Sequence, residues 1–451
     1  MEAFFTAFAE FMWGMPLVVL MVGGGLFFVL YSRLLPYRHF PHALGILSGR
    51  YDNPDDDGHI PHFHALSTAL SGTLGLGNIA GVAVAITLGG PGAIFWMWVT
   101  ALVGVATKFY TASLAIMYRG RDSKGVLQGG PMYVIREGLG RRWLPLAWLF
   151  CIAGLFGTLP IFQVNQLVQI LRDVIAVPAG LASPDSHFTF DLVMGLLIAG
   201  IVLMVILGNI WRVGWVAARL VPLMVLLYLG MTLWLLAMHW QEIPAALRLI
   251  VSDAFTGNAV AGGVFSSVLI MGIRRGAFSN EAGIGTESMA HGAACTNEPI
   301  REGLVAMMGP VIDTLIVCTC TALAILVTGV WHGESVGVTL TAEAFEAAFP
   351  GLGAYLLTLM VFLLSLSTVL SLWYYGSKCL GFLIGAGFQR HYIWFYALLV
   401  VIGAVMSLKA IIGLVDGMYA LMAIPTMTST LLLAGKVNRA ATAYFGEIQK
   451  H

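Results

Sequence analysis

The chain has 451 residues, 59% of them hydrophobic and only 10% charged, with a mean hydropathy of +0.86 and no net charge. A soluble domain carries about 25% charged residues, so this chain has too little polar surface to face water and belongs in lipid. Neutrality removes any argument for nucleic acid or another polyanion as partner.

In chain order, stretches of about 20 apolar residues, enough to cross a bilayer, fall near 11–31, 65–88, 92–118, 144–176, 189–208, 213–238, 259–290, 303–330, 351–384, 393–410 and 413–434. They predict an all-α polytopic membrane protein of eleven transmembrane helices. The first is not a signal peptide by pattern, since Glu2 and Glu10 replace a basic leader and the apolar run is long. The largest loop, near 32–64, is too short for an independent core. No nucleotide-binding domain is present to drive transport with ATP, which leaves secondary transport, a channel or an intramembrane enzyme. The five cysteines (Cys151, Cys295, Cys318, Cys320, Cys379) read as small packing residues, because Cys318 and Cys320 would point to different helix faces.

Basic residues set the orientation. Arg33, Arg38, Arg50, Arg119, Arg121, Lys124, Arg136, Arg141, Arg142, Arg212, Arg301, Arg390, Lys436, Arg439 and Lys450 fall on one side, whereas loops 177–188 and 331–350 hold none. Only Arg248, in 239–258, votes otherwise. This predicts an outside N-terminus and a cytoplasmic C-terminus in the plasma (inner) membrane. His59, His62 and His64 with Asp55, Asp56 and Asp57 are zinc-type ligands. Without a folded domain to fix them they read as a solvated juxtamembrane loop.

Non-helical backbone survives at membrane depth only where it lines a cavity. The second span carries Ser71-Gly72-Thr73-Leu74-Gly75-Leu76-Gly77-Asn78-Ile79-Ala80-Gly81, and the seventh carries a Gly-rich run from Gly272 to Gly285 with Asn280 inside it. Two such interruptions about five spans apart point to a transporter binding site between repeats. The implied layout is an accessory helix and loop (1–64), a five-helix repeat (65–238), a second, inverted one (259–434) and a tail (435–451). Gly77 and Gly81 also form a GxxxG packing motif, but this leaves Gly72, Gly75 and Asn78 without a role. Gly75-x-Gly77-x-x-Ala80 is not a dinucleotide fingerprint, since no strand precedes it and no acid lies between Asp57 and Asp122.

The stretches Gly-Leu-Gly-Asn-Ile-Ala-Gly-Val (75–82), Gly-Gly-Pro-Gly-Ala-Ile-Phe-Trp-Met-Trp (89–98), Gly-Gly-Pro-Met-Tyr (129–133), Arg-Gly-Ala-Phe-Ser-Asn-Glu-Ala-Gly (275–283) and Asp-Thr-Leu-Ile-Val-Cys-Thr (313–319) closely resemble the alanine/glycine:cation symporter family. The resemblance runs from about 60 to 435. It implies the five-plus-five inverted-repeat fold and uptake of small neutral amino acids coupled to sodium, occasionally to protons. No cofactor beyond the coupling ion is implied.

Carried over by motif, the substrate contacts would be Thr73, Gly75, Leu76, Gly77, Gln163, Asn165, Phe278, Ser279, Asn280 and Trp373, with Gln163 and Asn280 polar and Phe278 a lid. The carboxylate of the zwitterion suits free N–H groups at Gly75–Gly77. A sodium would take carbonyls of Ser71 and Leu74 with hydroxyls of Ser367 and Thr368, and a second would lie near Thr73 and Asn78. For the amides the alternative is an interhelical hydrogen bond. For the hydroxyls it is a bond back to their own helix. The chain departs from the family at Leu76, at Thr111 (commonly Glu) and at Trp373, which is shifted one position, about 100° around a helix.

Ionisable residues inside spans are functional candidates. Lys108 is expected to snorkel to the span end. Arg275 with Glu281 reads as a gate or as a helix-end ion pair, and the structural pair is expected. Asp313 suits either a proton or freed backbone donors. An intramembrane enzyme would need a nucleophile with a base, or a metal set, and a channel would need a pore pattern repeated across subunits; the spans supply neither.

Overall fold

The computed structural model describes residues 2–53, 55–183, 186–255, 264–406 and 409–448. The start of the seventh expected span (259–263), two positions of the tenth (407–408) and the tail end including Lys450 lie outside them.

Among the described residues, nine stretches are long and apolar enough to cross a membrane: Ala3–Tyr31, Ala93–Met117, Arg141–Ala176, Phe188–Ile206, Ile210–Met238, Pro299–Val327, Gly353–Ile384, Ala386–Val405 and Gly413–Ile448. The helices His62–Thr73 and Gly77–Gly89, bent by 53°, make a tenth span if taken together. Helices Val264–Asn280 and Thr286–His291 occupy the seventh expected span, with an unwound 281–285 between them. The protein is thus a multi-pass helical membrane protein. Two further short helices, Ile243–Asp253 and Val338–Ala348, lie where the sequence suggested loops. Each has eleven residues, too few to span lipid. A small hairpin pairs Gly120–Arg121 with Leu127–Gln128.

Burial follows the lipid as solvent. Helix 93–117 is buried along most of its length, whereas Leu196, Leu197, Met204, Leu226 and Trp234 on helices 188–206 and 210–238 stay exposed. Such apolar faces would be a liability in water and are normal against hydrocarbon.

The His/Asp stretch is solvated only in part: Asp55, Asp57 and His59 are exposed as expected, but the segment is tied down. Asp56 accepts hydrogen bonds from the backbone and amide of Asn297, and the Asp57 carbonyl accepts from Arg119 and from the Thr296 N–H. Arg119 reaches the carbonyls of Gly292 and Thr296 (both 3.0 Å) and that of Ala294. His62 is fully buried and its Nδ1 bonds the carboxylate of Glu302, which also takes Nδ1 of His291 at 2.5 Å. A histidine-rich run reads as solvated only while its acidic partner, 240 residues on, is not in view. No group of three or more His, Cys, Asp or Glu side chains able to hold a metal ion occurs among the described residues.

Candidate substrate and cation site

Each interruption has a local cause. At the first, Leu74 turns out of the helix (φ −74°, ψ 83°), and the Gly75 N–H is caught by Oδ1 of Asn78 at 3.2 Å. The Leu76 N–H has no acceptor among the described residues. At the second, the chain stays helical through Gly272–Asn280 and breaks only at 281–285, where Glu281, Gly283 and Gly285 take positive φ of 55°, 85° and 98°. Glycine adopts that conformation without strain; Glu281 does not. Here Oδ1 of Asn280 accepts the Ala282 N–H at 3.0 Å. An asparagine therefore ties off each break.

Both asparagines lean on one segment, the widened π-turn Val311–Cys318. The Asn78 amide approaches the Asp313 carbonyl and Cys318 Sγ (both 3.5 Å), and the Asn280 amide approaches Thr314 Oγ1 (3.3 Å). Between them lies the buried Asp313 carboxyl. Oδ1 accepts from Ser279 Oγ at 2.5 Å and Thr314 Oγ1 at 2.9 Å, while Oδ2 has no partner among the described residues. An unpartnered carboxylate oxygen inside lipid is costly unless a cation or proton meets it.

A cavity of about 250 Å³ opens against the first break. Of the expected substrate residues it is lined by Thr73, Gly75, Leu76, Gly77, Gln163 and Phe278. Asn165 is elsewhere: its amide bonds the carbonyls of Gly403 (3.1 Å) and Met406 (2.8 Å), the interhelical alternative. Ser279 and Asn280 face the Asp313 cluster, and Trp373 is buried outside the lining while its neighbour Leu372 is in it. The hydroxyls of Ser367 and Thr368 do meet the first break. Ser367 Oγ lies 3.5 Å from the Ser71 carbonyl, and Gly75 packs on Thr368. Both hydroxyls also bond back to the Leu364 carbonyl.

Several lining residues escape a motif reading. Gln166 sits three positions after Gln163, and Asp416 and Tyr419 come from the last span. Asp416 is the lone charge of the expected span 413–434, which was the available signal. The expected Arg275–Glu281 pair does not form. Arg274, not Arg275, pairs with Asp416, and Glu281 instead accepts hydrogen bonds from Tyr419 and Thr286. The positive φ at Glu281 turns its side chain toward helix 413–448. Lys108 does not snorkel. It is 1% exposed, lies against Gly309, and its charge bears on Asp313 and Glu281.

Residues 1–451, the whole chain, match the sodium:alanine symporter family. The chain belongs to that family. Family relatives include the sodium/alanine symporter AgcS of Methanococcus maripaludis, 39% identical over 98% of this chain and 96% of that one. An uncharacterized transporter of Haemophilus influenzae is 36% identical over 99% and 97%. The probable sodium/glutamine symporter GlnT of Bacillus subtilis is 30% identical over 96% and 89%. Among solved structures, this family member is similar to MhsT in complex with L-phenylalanine. The TM-score is 0.58 at 13% identity, over 86% of this chain and 99% of that one, a likeness of fold alone.

Proposed function

We propose that the protein imports small neutral amino acids, alanine and glycine, by sodium-coupled symport with alternating access. The observation that carries this is the first break, where an unpaired Leu76 N–H and the glycines 75 and 77 face a cavity beside the Thr368 hydroxyl. A zwitterion's carboxylate would be held by backbone N–H groups, with Gln163, whose buried Oε1 has no partner among the described residues, free to accept from the ammonium.

One sodium would lie between the Ser71 carbonyl and the hydroxyls of Ser367 and Thr368. A second would take Asp313 Oδ2 with the Ser279 hydroxyl, hard oxygen ligands beside an unpartnered carboxylate. Eleven spans in two inverted five-helix repeats accord with two asparagine-closed breaks meeting one segment. The N-terminus outside and C-terminus inside rest on the distribution of Lys and Arg.

The experiment is uptake into proteoliposomes under an inward sodium gradient, with alanine and glycine as labelled substrates. Uptake that collapses when the sodium gradient is removed is the expected result. Uptake that follows a proton gradient instead would move the coupling ion to the proton, for which Asp313 offers the same unpartnered oxygen. Absence of uptake for any small amino acid sinks the substrate class.

A further inference from the structure

The cavity is larger than an alanine requires. Its volume of about 250 Å³ equals roughly eight water volumes. Three helices each present to it a pair of side chains three residues apart, which places the members on one face about a turn from each other: Gln163 and Gln166, Phe278 and Arg275, Tyr419 and Asp416. Helix 264–280 runs toward its break, so Arg275 lies a turn farther from the break than Phe278. Asn165 bonds Met406, at the end of the described chain before helix 413–448, which puts Gln166 at the same far end as Asp416. The pairs thus form two layers. The near layer of Gln163, Phe278 and Tyr419 surrounds the glycine cradle, and the far layer holds Gln166, Arg275 and Asp416.

The far layer carries an unmatched charge. Asp416 is already paired with Arg274, so the one carboxylate of the far layer is taken. Arg275 makes no hydrogen bond or ion pair among the described residues, and its Nε is buried without a partner. Such a planar donor fork inside a cavity is built to meet an oxygen. We propose that Arg275, with Gln166 beside it, is a subsite for a side-chain carbonyl oxygen of the substrate, so that the protein accepts amino acids ending in an amide or carboxylate as well as alanine. A helical turn is about 5.4 Å, close to the reach of a glutamine side chain from its Cα. The proposal rests on the cavity being the substrate site.

The test is thermal stabilisation of the purified full chain by L-alanine, L-glutamine, L-glutamate and L-norleucine, the last matching glutamine in length without its oxygen. Glutamine, glutamate or both should half-saturate at about tenfold lower concentration than norleucine, as one charge-assisted hydrogen bond gives. Whichever of the two is preferred identifies amide or carboxylate as the natural occupant. In Arg275→Met that advantage over norleucine should vanish, and the affinity ratio to alanine should fall by a similar factor. Gln166→Leu, should Arg275→Met fail to fold, is expected to erode the same ratio. Norleucine stabilising as well as glutamine and glutamate in the unaltered protein overturns the proposal, as does an Arg275→Met that weakens alanine equally. The symport reading falls separately, only if alanine is neither bound nor carried.

Discussion

A methyl group added at Gly75 would stand 2.6 Å from Oγ1 of Thr368. Helix 353–384 thus presses a hydroxyl onto the open turn of the first break, and nothing larger than glycine fits between them. Gly75→Ala is expected to cut sodium-driven uptake at least about tenfold, since a displaced backbone cradle loses its orientation toward the substrate. Gly230→Ala is the control, because a Cβ there meets nothing within 4 Å. Both variants should insert and elute like the unaltered protein. Full activity in Gly75→Ala would remove the cradle from the mechanism.

Much of this was legible because lipid imposes simple rules. Length and apolarity marked the spans, and helix-breaking residues at depth marked the first break. What stayed hidden depends on partners distant in sequence. Nothing near His62 announces Glu302, and nothing near Arg274 announces Asp416, 142 residues on. The second break was misjudged in extent for a related reason. Gly272 and Gly276 looked like breakers, but a Cβ at Gly272 would stand 2.4 Å from the Ala93 carbonyl and one at Gly276 3.0 Å from Thr100. Those glycines serve close helix packing, and the unwinding falls to residues with positive φ. Asn165 shows the converse: a motif match can carry an amide whose work is to tie one helix to another.

Asp313→Asn keeps the shape of the residue and removes its charge. Ser279 and Thr314 would still have an oxygen to donate to. The expected outcome is a sodium requirement raised at least about tenfold, roughly 1.4 kcal/mol of cation binding, with alanine affinity at saturating sodium reduced much less. Sodium titration of uptake reads this directly. An unchanged sodium curve would show that no coupling ion contacts Asp313.

Glu302 is the shared acceptor of two buried histidines from different helices. Removing it strands both imidazoles, and breaking a buried charged set from one side costs about 3–5 kcal/mol. Glu302→Ala should therefore melt well below the unaltered protein. His62→Ala and His291→Ala should each lower stability, with a double variant less destabilised than the sum, since both act on one carboxylate. Strict additivity of the melting shifts would contradict a shared acceptor.

Trp13 ties the N-terminal span to the far end of the cavity. Its Nε1 donates to the Asp416 carbonyl at 3.1 Å, and Arg274 lies with Cζ 5.8 Å from the indole ring. The residue that lines the cavity is thus held through its carboxylate by Arg274 and through its backbone by Trp13. Trp13→Phe nearly keeps the ring volume and deletes one donor to a carbonyl that its own helix still pairs, at a cost of about 1 kcal/mol. A small fall in melting temperature of roughly 1 °C is expected for a chain of this length. The larger effect should appear in transport: Asp416 moves with its backbone, so KM for the amino acid should rise about threefold or more, in proportion to an affinity change of under about 1 kcal/mol. Trp13→Ala should add the cost of an unfilled core site, about 3–5 kcal/mol, and unfold the contact altogether. Normal KM in Trp13→Phe, with only the melting temperature lowered, would reduce the N-terminal span to a packing element that does not act on the cavity.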